Sequence, residues 1–390
     1  MLESKRIRTY AADGTYTDAD TESGNYNAEF RAACLSYGRT IKATVTINGT
    51  DLDPQDIVSI KRYVDGEITS AAMYGYEITL TGDHTDITEG TAITDIWLYV
   101  AAADSPEFYG LHLVSWRSAL TVREVIRDKK KKTVLLRAYD DMYNTMQPAT
   151  TLTGQMTLLE LIEGVSFNVW QYVRPVVIRT GGQLTTAALD GITLALPIDH
   201  GMTYRELLTD LARLLGVVIT TDAVGMYLTL PYGNSLLRPD PQEISDTAKS
   251  CKNLEIKDPI RDIKKVLVKS TDSGTSTVET IGTTEAGAGM VTIESTLYGL
   301  VDTDDLGDLD RLIAAGYQAW ARYEDAVIYT APAVMDTTGI VLLEPGDVFR
   351  IQDTDGNWYW SPVGNHTLTI TSGMTETYEY ELPENYEVQK

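Results

Sequence analysis

The chain has 390 residues and a formal charge of −24, from 56 acidic and 32 basic side chains. That length is more than one hydrophobic core usually serves, so two or three domains are expected. With 43% apolar and 23% charged residues it has the composition of a folded globular protein, not of a disordered one. No uncharged apolar run reaches the about 18 residues needed to span a bilayer, and the start, MLESKRIRTYAADG, lacks the apolar centre of a signal peptide. The expectation is a protein neither exported by that route nor held by a membrane anchor. Cys34 and Cys251 are too few for a disulfide framework or a cysteine zinc site and read as buried thiols of a reducing cytoplasm. A field this negative repels DNA, RNA and acidic membranes. The basic run Lys129-Lys130-Lys131-Lys132 lies between two apolar strand-like stretches and reads as a hairpin tip. Tyrosine outnumbers phenylalanine 23 to 4, which suits half-buried strand faces and protein contacts, because the ring is apolar and its tip polar.

Residues 1–148 read as a first β-barrel-like domain. Ile41 to Ile47 alternates apolar and polar with period two, and Asn48-Gly49 follows as a hairpin turn. Further runs are Ile57 to Val64, stopped by Asp65-Gly66, then Tyr74 to Leu80, Ile93 to Val100, Leu111 to Trp116 and Thr133 to Tyr139. Short strands at close spacing suggest a sandwich or barrel. An α+β insertion is expected over 149–233. Thr157-Leu158-Leu159-Glu160 is a capping-box signature opening a short helix that Gly164 can end, and it recurs at Thr203-Tyr204-Arg205-Glu206. In the second helix Tyr204, Leu207, Leu208, Leu211, Leu214 and Leu215 share one face, with Arg205, Glu206, Asp210 and Arg213 on the other and Gly216 closing the end. Two strands, Val217 to Thr221 and Met226 to Leu230, follow through Asp222-Ala223-Val224-Gly225, and a sheet must cover the leucine stripe.

Residues 234–259 carry Pro239, Pro241 and Pro259 with few apolar side chains and read as a linker or crossing segment. The last part, 260–390, reads as a second β-barrel-like domain. It opens on the strand Lys264 to Val268, passes through a polar hairpin or loop over Ser270 to Gly289, and holds one helix near 306–323. That helix has Leu306, Leu309, Ile313, Tyr317 and Trp320 on one stripe and an acidic approach, Asp302, Asp304 and Asp305, suited to the helix dipole. Strand patterns return at Gly346 to Ile351, Trp358 to Trp360 and Thr367 to Ile370, with a turn at Asp355-Gly356-Asn357. The fold class is thus mainly β with an α+β insertion.

The chemical search assigns no catalytic, cofactor-binding or metal-ligating residue. His84, His112, His200 and His366 are far apart and fall in no zinc-site spacing. The glycine cluster Gly282 to Gly289 lacks the dinucleotide-binding spacing and a following helix. Asp302-Thr303-Asp304-Asp305 and Asp353-Thr354-Asp355-Gly356 lack the twelfth-position glutamate of a calcium loop, since Ile313 and Gly364 stand there. Among 56 acidic residues no glycosidase-like carboxylate pair is privileged. Trp358 and Trp360 share one face of a strand, as core tryptophans or as a sugar-stacking platform would.

Several stretches, in order along the chain, resemble the tail-tip or baseplate hub proteins of bacteriophages, a family also found in prophages and contractile injection systems. They are Asp56-Ile57-Val58-Ser59-Ile60 after an Asn-Gly turn, and Thr133 to Tyr143 with its Ala138-Tyr139-Asp140 core. The helix and hairpin from Tyr204 to Leu230 follow, then Glu344 to Ile351 and Leu368 to Met374. Leu111 to Arg127 lacks the family's frequent Pro-Leu-Gly approach, and 270–300 matches nothing in it. The resemblance implies a non-enzymatic structural hub in a virion tail, assembled in the host cytoplasm. It implies two barrel-like domains per chain in a homotrimeric ring that continues the tail tube. Partners would be a distal tail or tail-tube protein, a tape-measure protein and receptor-binding or spike components, and DNA would pass without being bound. Acidic walls would favour that passage, since they repel phosphates over a screening length of about 8 Å. A glycoside- or peptidoglycan-cleaving enzyme and a carbohydrate-binding adhesin are the alternatives.

Overall fold

The computed structural model describes residues 5–10, 16–21, 33, 36–65, 69–103, 105–114, 119–179, 182–222, 224–230, 242–245, 251–252, 256–259, 263–272, 275–318, 327–329, 333–336, 348–352, 358–362, 365–379 and 387–388. It is mainly β, with a helical portion in the middle of the chain. No helix among the described residues is long and apolar enough to cross a membrane.

The first sheet begins with the antiparallel pair β1 (Lys5–Tyr10) and β2 (Tyr16–Thr21). β3 (Thr40–Ile47) turns through Asn48 and Gly49, at φ 49° and 78°, into β4 (Thr50–Asp51). Two successive left-handed residues are what a tight hairpin of matching twist demands, and Asn-Gly supplies them at least cost. There follow β5 (Ile57–Asp65), β6 (Met73–Thr81), β7 (Ala92–Ala101), β8 (Phe108–His112), β9 (Leu120–Asp128) and β10 (Thr133–Tyr139). Neighbours run β5-β6-β10-β9-β7. β3 takes one edge of β7, while β9 and β8 share the other. The sheet curls until β3 faces the start of β5 across a crease of ≈150 Å³ lined by Ile41, Ala43, Ile57 and Ile60.

Two expectations shift here. The strand read at Leu111 to Trp116 is β8, which starts earlier and ends at His112; Trp116 lies outside the described residues. β9 is the strand-like stretch before the lysine run, to which the sequence reading assigns no bounds, because Arg123, Glu124, Arg127 and Asp128 break its alternation where its outer half is exposed. The lysine run is the tip between β9 and β10. There Asp128 Oδ1 accepts from the Lys130 and Lys131 amides at 2.9 and 3.1 Å, which lowers its carboxyl pKa.

The chain then passes through a 3-10 helix, Asp141–Met146, into β11 (Gly154–Thr157) and α1 (Leu158–Trp170). Thr157 and Glu160 form the expected capping box. Gly164 does not end this helix. It is a close-packing residue, where a Cβ would lie 2.7 Å from Leu152 Cδ2, and the helix runs on to a left-handed Gln171. Next come β12 (Val176–Arg179), α2 (Thr186–Asp190), β13 (Thr193–Leu196), α3 (Tyr204–Leu215), β14 (Val218–Thr221) and β15 (Met226–Thr229). α3 has the expected capping box and ends on Gly216 at φ 65°. β13 pairs with β11, and β15 lies between antiparallel β14 and parallel β12.

Within 234–259 the described residues form short strands rather than plain linker. β16 (Gln242–Ser245), β17 (Cys251–Lys252) and β18 (Ile256–Pro259) each pair with a later strand. The strand read from Lys264 is the longer β19 (Ile263–Asp272). The polar stretch after it is an antiparallel hairpin with β20 (Thr275–Gly282), and β21 (Gly289–Glu294) then runs parallel to β19. α4 (Leu306–Gln318) buries Leu309, Ile313 and Tyr317 as read; Trp320 lies outside the described residues. The last strands are β22 (Val327–Tyr329), β23 (Ala333–Asp336), β24 (Val348–Gln352), β25 (Trp358–Pro362), β26 (Asn365–Ile370), β27 (Met374–Glu379) and β28 (Glu387–Val388). The turn at Asp355-Gly356-Asn357 falls outside the described residues.

Two cores result, and both draw on distant parts of the chain. β26 pairs with β5, from Ile60 opposite Ile370 to Tyr63 opposite Thr367, and carries β27, β23 and β17 into the first sheet. Leu368, Ile370 and Met374 therefore share a core with Val45, Ile60, Ile78 and Leu136. The second core joins the leucines of α1 and α3 to Ile263, Val266 and Val291 of the β19–β21 sheet and to Leu309 and Ile313 of α4.

Candidate functional site

The two cores meet where β10 hands the chain to the 3-10 helix. Alternation along β10 buries Leu136 and Ala138 in the first core and turns Tyr139 to the other face. Tyr139 stacks on Tyr143 at 5.0 Å between centroids, meets Tyr63 edge-on at 6.4 Å and receives its hydroxyl hydrogen bond at 3.2 Å. Gly75 makes room for Tyr63, since a Cβ there would lie 2.4 Å from its ring. On β9, Arg123 covers the Tyr143 ring at 4.8 Å and donates to Asn144 Oδ1 at 2.7 Å.

Asp140 and Asp141 follow, and their environments differ. Asp140 is buried, and its Oδ1 has no hydrogen-bond donor among the described residues. Burial pushes its carboxyl pKa well above the usual value, and the neighbouring Asp141 charge adds to the shift. The backbone amides of Tyr74 and Met142 and the Arg205 guanidinium pull the other way. Asp141 instead accepts a hydrogen bond from Nη2 of Arg174, whose side chain is wholly buried. Arg174 lies over the Trp170 ring at 3.9 Å and donates to the Tyr172 hydroxyl from Nε and Nη2, at 2.9 and 2.6 Å. Trp170 Nε1 in turn donates to the Asp141 carbonyl at 3.1 Å. Charge pairing and aromatic stacking together fix the end of α1 to the 3-10 helix.

Backbone bonds complete the seam. Ala72 donates to the Ile219 carbonyl at 2.8 Å, and Ile219 donates to that of Ser70 at 2.9 Å, so β14 is tied to the segment before β6. Ala149 donates to Met202 and Tyr204 to Gln147, at 2.9 and 3.1 Å.

Beside the seam, a groove of ≈840 Å³ runs between α3 and the β19–β21 sheet, with Arg205, Arg213, Lys269, Glu206 and Glu294 along it. Asp210, expected on the polar outer face of α3, is buried. Its Oδ2 accepts from the amides of Thr296 and Leu297, both at 2.9 Å, and burial raises its pKa. A carboxylate that caps a neighbouring backbone turn repeats at the spacing of a surface charge, which is why periodicity alone misplaces it.

In the first core the buried polar group is a different one. Arg62 Nε donates to the Tyr76 hydroxyl at 3.1 Å, its Nη1 lies 3.2 Å from His366 Nδ1, and Tyr76 donates to the Leu113 carbonyl. These contacts bind β26 to β5 and β6. The other histidines are separate: His112 meets Asp95 at 3.1 Å, His200 meets the Ala149 and Leu152 carbonyls, and His84 meets the Thr81 carbonyl. Among the described residues there is no cluster of three or more metal-ligating side chains. Asp302 accepts from the Asp304 amide as a local turn, while Asp305 accepts from that of Thr193 and ties the approach to α4 to β13. The side chains of Trp358 and Trp360 and the segment from Asp353 lie outside the described residues, although β25 itself pairs with β24. Arg174 escapes a motif search because it belongs to no spacing pattern, and Arg205 reads only as part of the polar face of α3. The one sequence trace is a cation set among Trp170, Tyr172 and Pro175.

No protein-family model and no curated protein matches the sequence. Solved structures do match. A tail protein from Neisseria meningitidis aligns over 88% of this chain and 96% of its own, at 13% identity and a TM-score of 0.52. The 43 kDa tail protein of prophage MuSo2 from Shewanella oneidensis aligns over 89% of this chain and 100% of its own, at 12% identity and 0.50. The prophage tail protein gp18 from Listeria monocytogenes aligns over 88% and 95%, at 11% identity and 0.50. The chain has the fold of phage and prophage tail proteins.

Proposed function

We propose that the chain is a structural hub of a phage tail tip or baseplate. The observation that carries this reading is the fold, which is shared with tail proteins over nearly the whole of both chains. In this reading three copies close a ring that continues the tail tube. Each contributes two barrel-like portions, one from 1–148 completed by β17, β23, β26 and β27 and one from the rest of 260–390, with 149–233 set to the side. Such closure would cover the end strands of the first sheet, because sheet edges demand partners. The ring would meet a distal tail or tube protein on one side and spike or receptor-binding components on the other, with a tape-measure protein inside.

The charge of −24 then has a mechanical use, since a negative lumen lets DNA slide without adhering. The role is scaffolding rather than catalysis: the buried charges join segments of the chain to one another. Antibodies raised against the purified chain test this directly. They should decorate the tail end distal to the capsid in negative-stain images of particles from the parent phage or prophage. Decoration of the capsid, or of no particle at all, would remove the reading.

A further inference from the structure

The seam holds a carboxylate with little to hold it. Asp140 is buried, its amide donates to the Tyr74 carbonyl of β6 at 3.1 Å, and its Oδ1 lacks a donor among the described residues, while Arg205 of α3, on the helical side, is near enough to act on its charge. Asp141, the next residue and the first of the 3-10 helix, is committed to Arg174. Arg62 of β5 lies over the Tyr74 ring at 4.9 Å, and Arg123 of β9 over Tyr143. An ionised Asp140 is thus desolvated, repelled by Asp141 and only partly offset by the cations around it. A neutral one leaves the Asp141–Arg174 pair without a second negative charge beside it.

We propose that this seam is a proton-operated joint: with Asp140 protonated the barrel and helical portions are held together, and with Asp140 ionised the joint loosens. The direction follows from linkage. Burial raises this carboxyl above its ordinary 3.8, so the closed seam binds the proton more tightly than the opened one. Stability from the neutral form is fully present below 3.8 and is lost as pH rises through the folded-state value. In that window the opening constant should rise by up to about tenfold per pH unit, then level off. The inference rests on Asp140 and its neighbours alone and holds whether or not the chain serves in a tail.

Hydrogen exchange of the full chain between about pH 4.5 and 8.5, corrected for the intrinsic pH dependence of exchange, tests it. The amides to follow are those that cross the seam: Ala72, Ile219 and Tyr204. Their protection should fall as pH rises in the parent chain and stay high and flat in Asp140→Asn. Arg205→Gln removes a cation that favours the ionised form, so it should move the fall to higher pH. Amides of β10 away from the seam should not share the dependence. Flat protection in the parent chain, or an unchanged slope in Asp140→Asn, would overturn the proposal. If Asp140→Asn did not fold, an Arg205→Gln profile that failed to move would do the same.

Discussion

The two cores solve the problem of buried charge in opposite ways. In the barrel, Arg62 sits among a tyrosine hydroxyl, a histidine and an aromatic face, and the cation serves to lock a late strand onto an early one. At the seam, two consecutive carboxylates are placed where only one has a dedicated cation, and the other is forced toward its neutral form. A buried charge with good partners fixes a geometry, whereas one without them makes a geometry depend on conditions. If the seam works as proposed, the first core should hold its geometry across pH while the seam does not.

The largest effect should come from the shared helical core. Leu211 on α3 is fully buried, and Leu211→Ala should cost about 2–5 kcal/mol in urea unfolding. An unchanged midpoint would mean the stripe is not core. Next, Arg174→Met strips Asp141 of its cation and should cost about 3 kcal/mol. Arg62→Met should cost less, about 1–2 kcal/mol, because Tyr76 keeps its bond to the Leu113 carbonyl. Equal losses would erase the contrast between barrel and seam. The smallest effect belongs to the α3 capping box, where Thr203→Ala should cost about 1 kcal/mol, read as a lowered melting temperature.

What was legible in the sequence follows from how far each signal reaches. β10 and α3 were readable nearly to the residue, because period-two alternation, a leucine stripe and a capping box are local. Gly164 was misread as a helix end since its role depends on Leu152, folded against it from outside the helix. β9 was read only as an unbounded stretch before the lysine tip because its charged residues are cross-strand partners; Glu124, for one, pairs with Arg137 at 2.8 Å. The joining of β26 to β5 left no local trace, since those strands lie some 300 residues apart and only the fold brings them together.

The seam was half legible. Ala138-Tyr139-Asp140 carried the family resemblance, and the structure places it at the junction of the two cores. Its partners Arg174 and Arg205 come from separate elements whose convergence no spacing rule expresses. Tyr139, Tyr143 and Tyr63 show why tyrosine is abundant here: each ring packs at a boundary where its hydroxyl also needs a partner or water.

The most direct measurement is a three-fold-averaged electron cryo-microscopy reconstruction of the tail tip from intact particles. The expected result is three copies of this chain in a ring around an open channel, with Asp and Glu outnumbering Lys and Arg on the inner wall relative to the outer. A tail tip whose ring density cannot hold this chain would contradict the hub assignment. A ring with a neutral or basic inner wall would keep the hub and contradict the electrostatic role given to its charge.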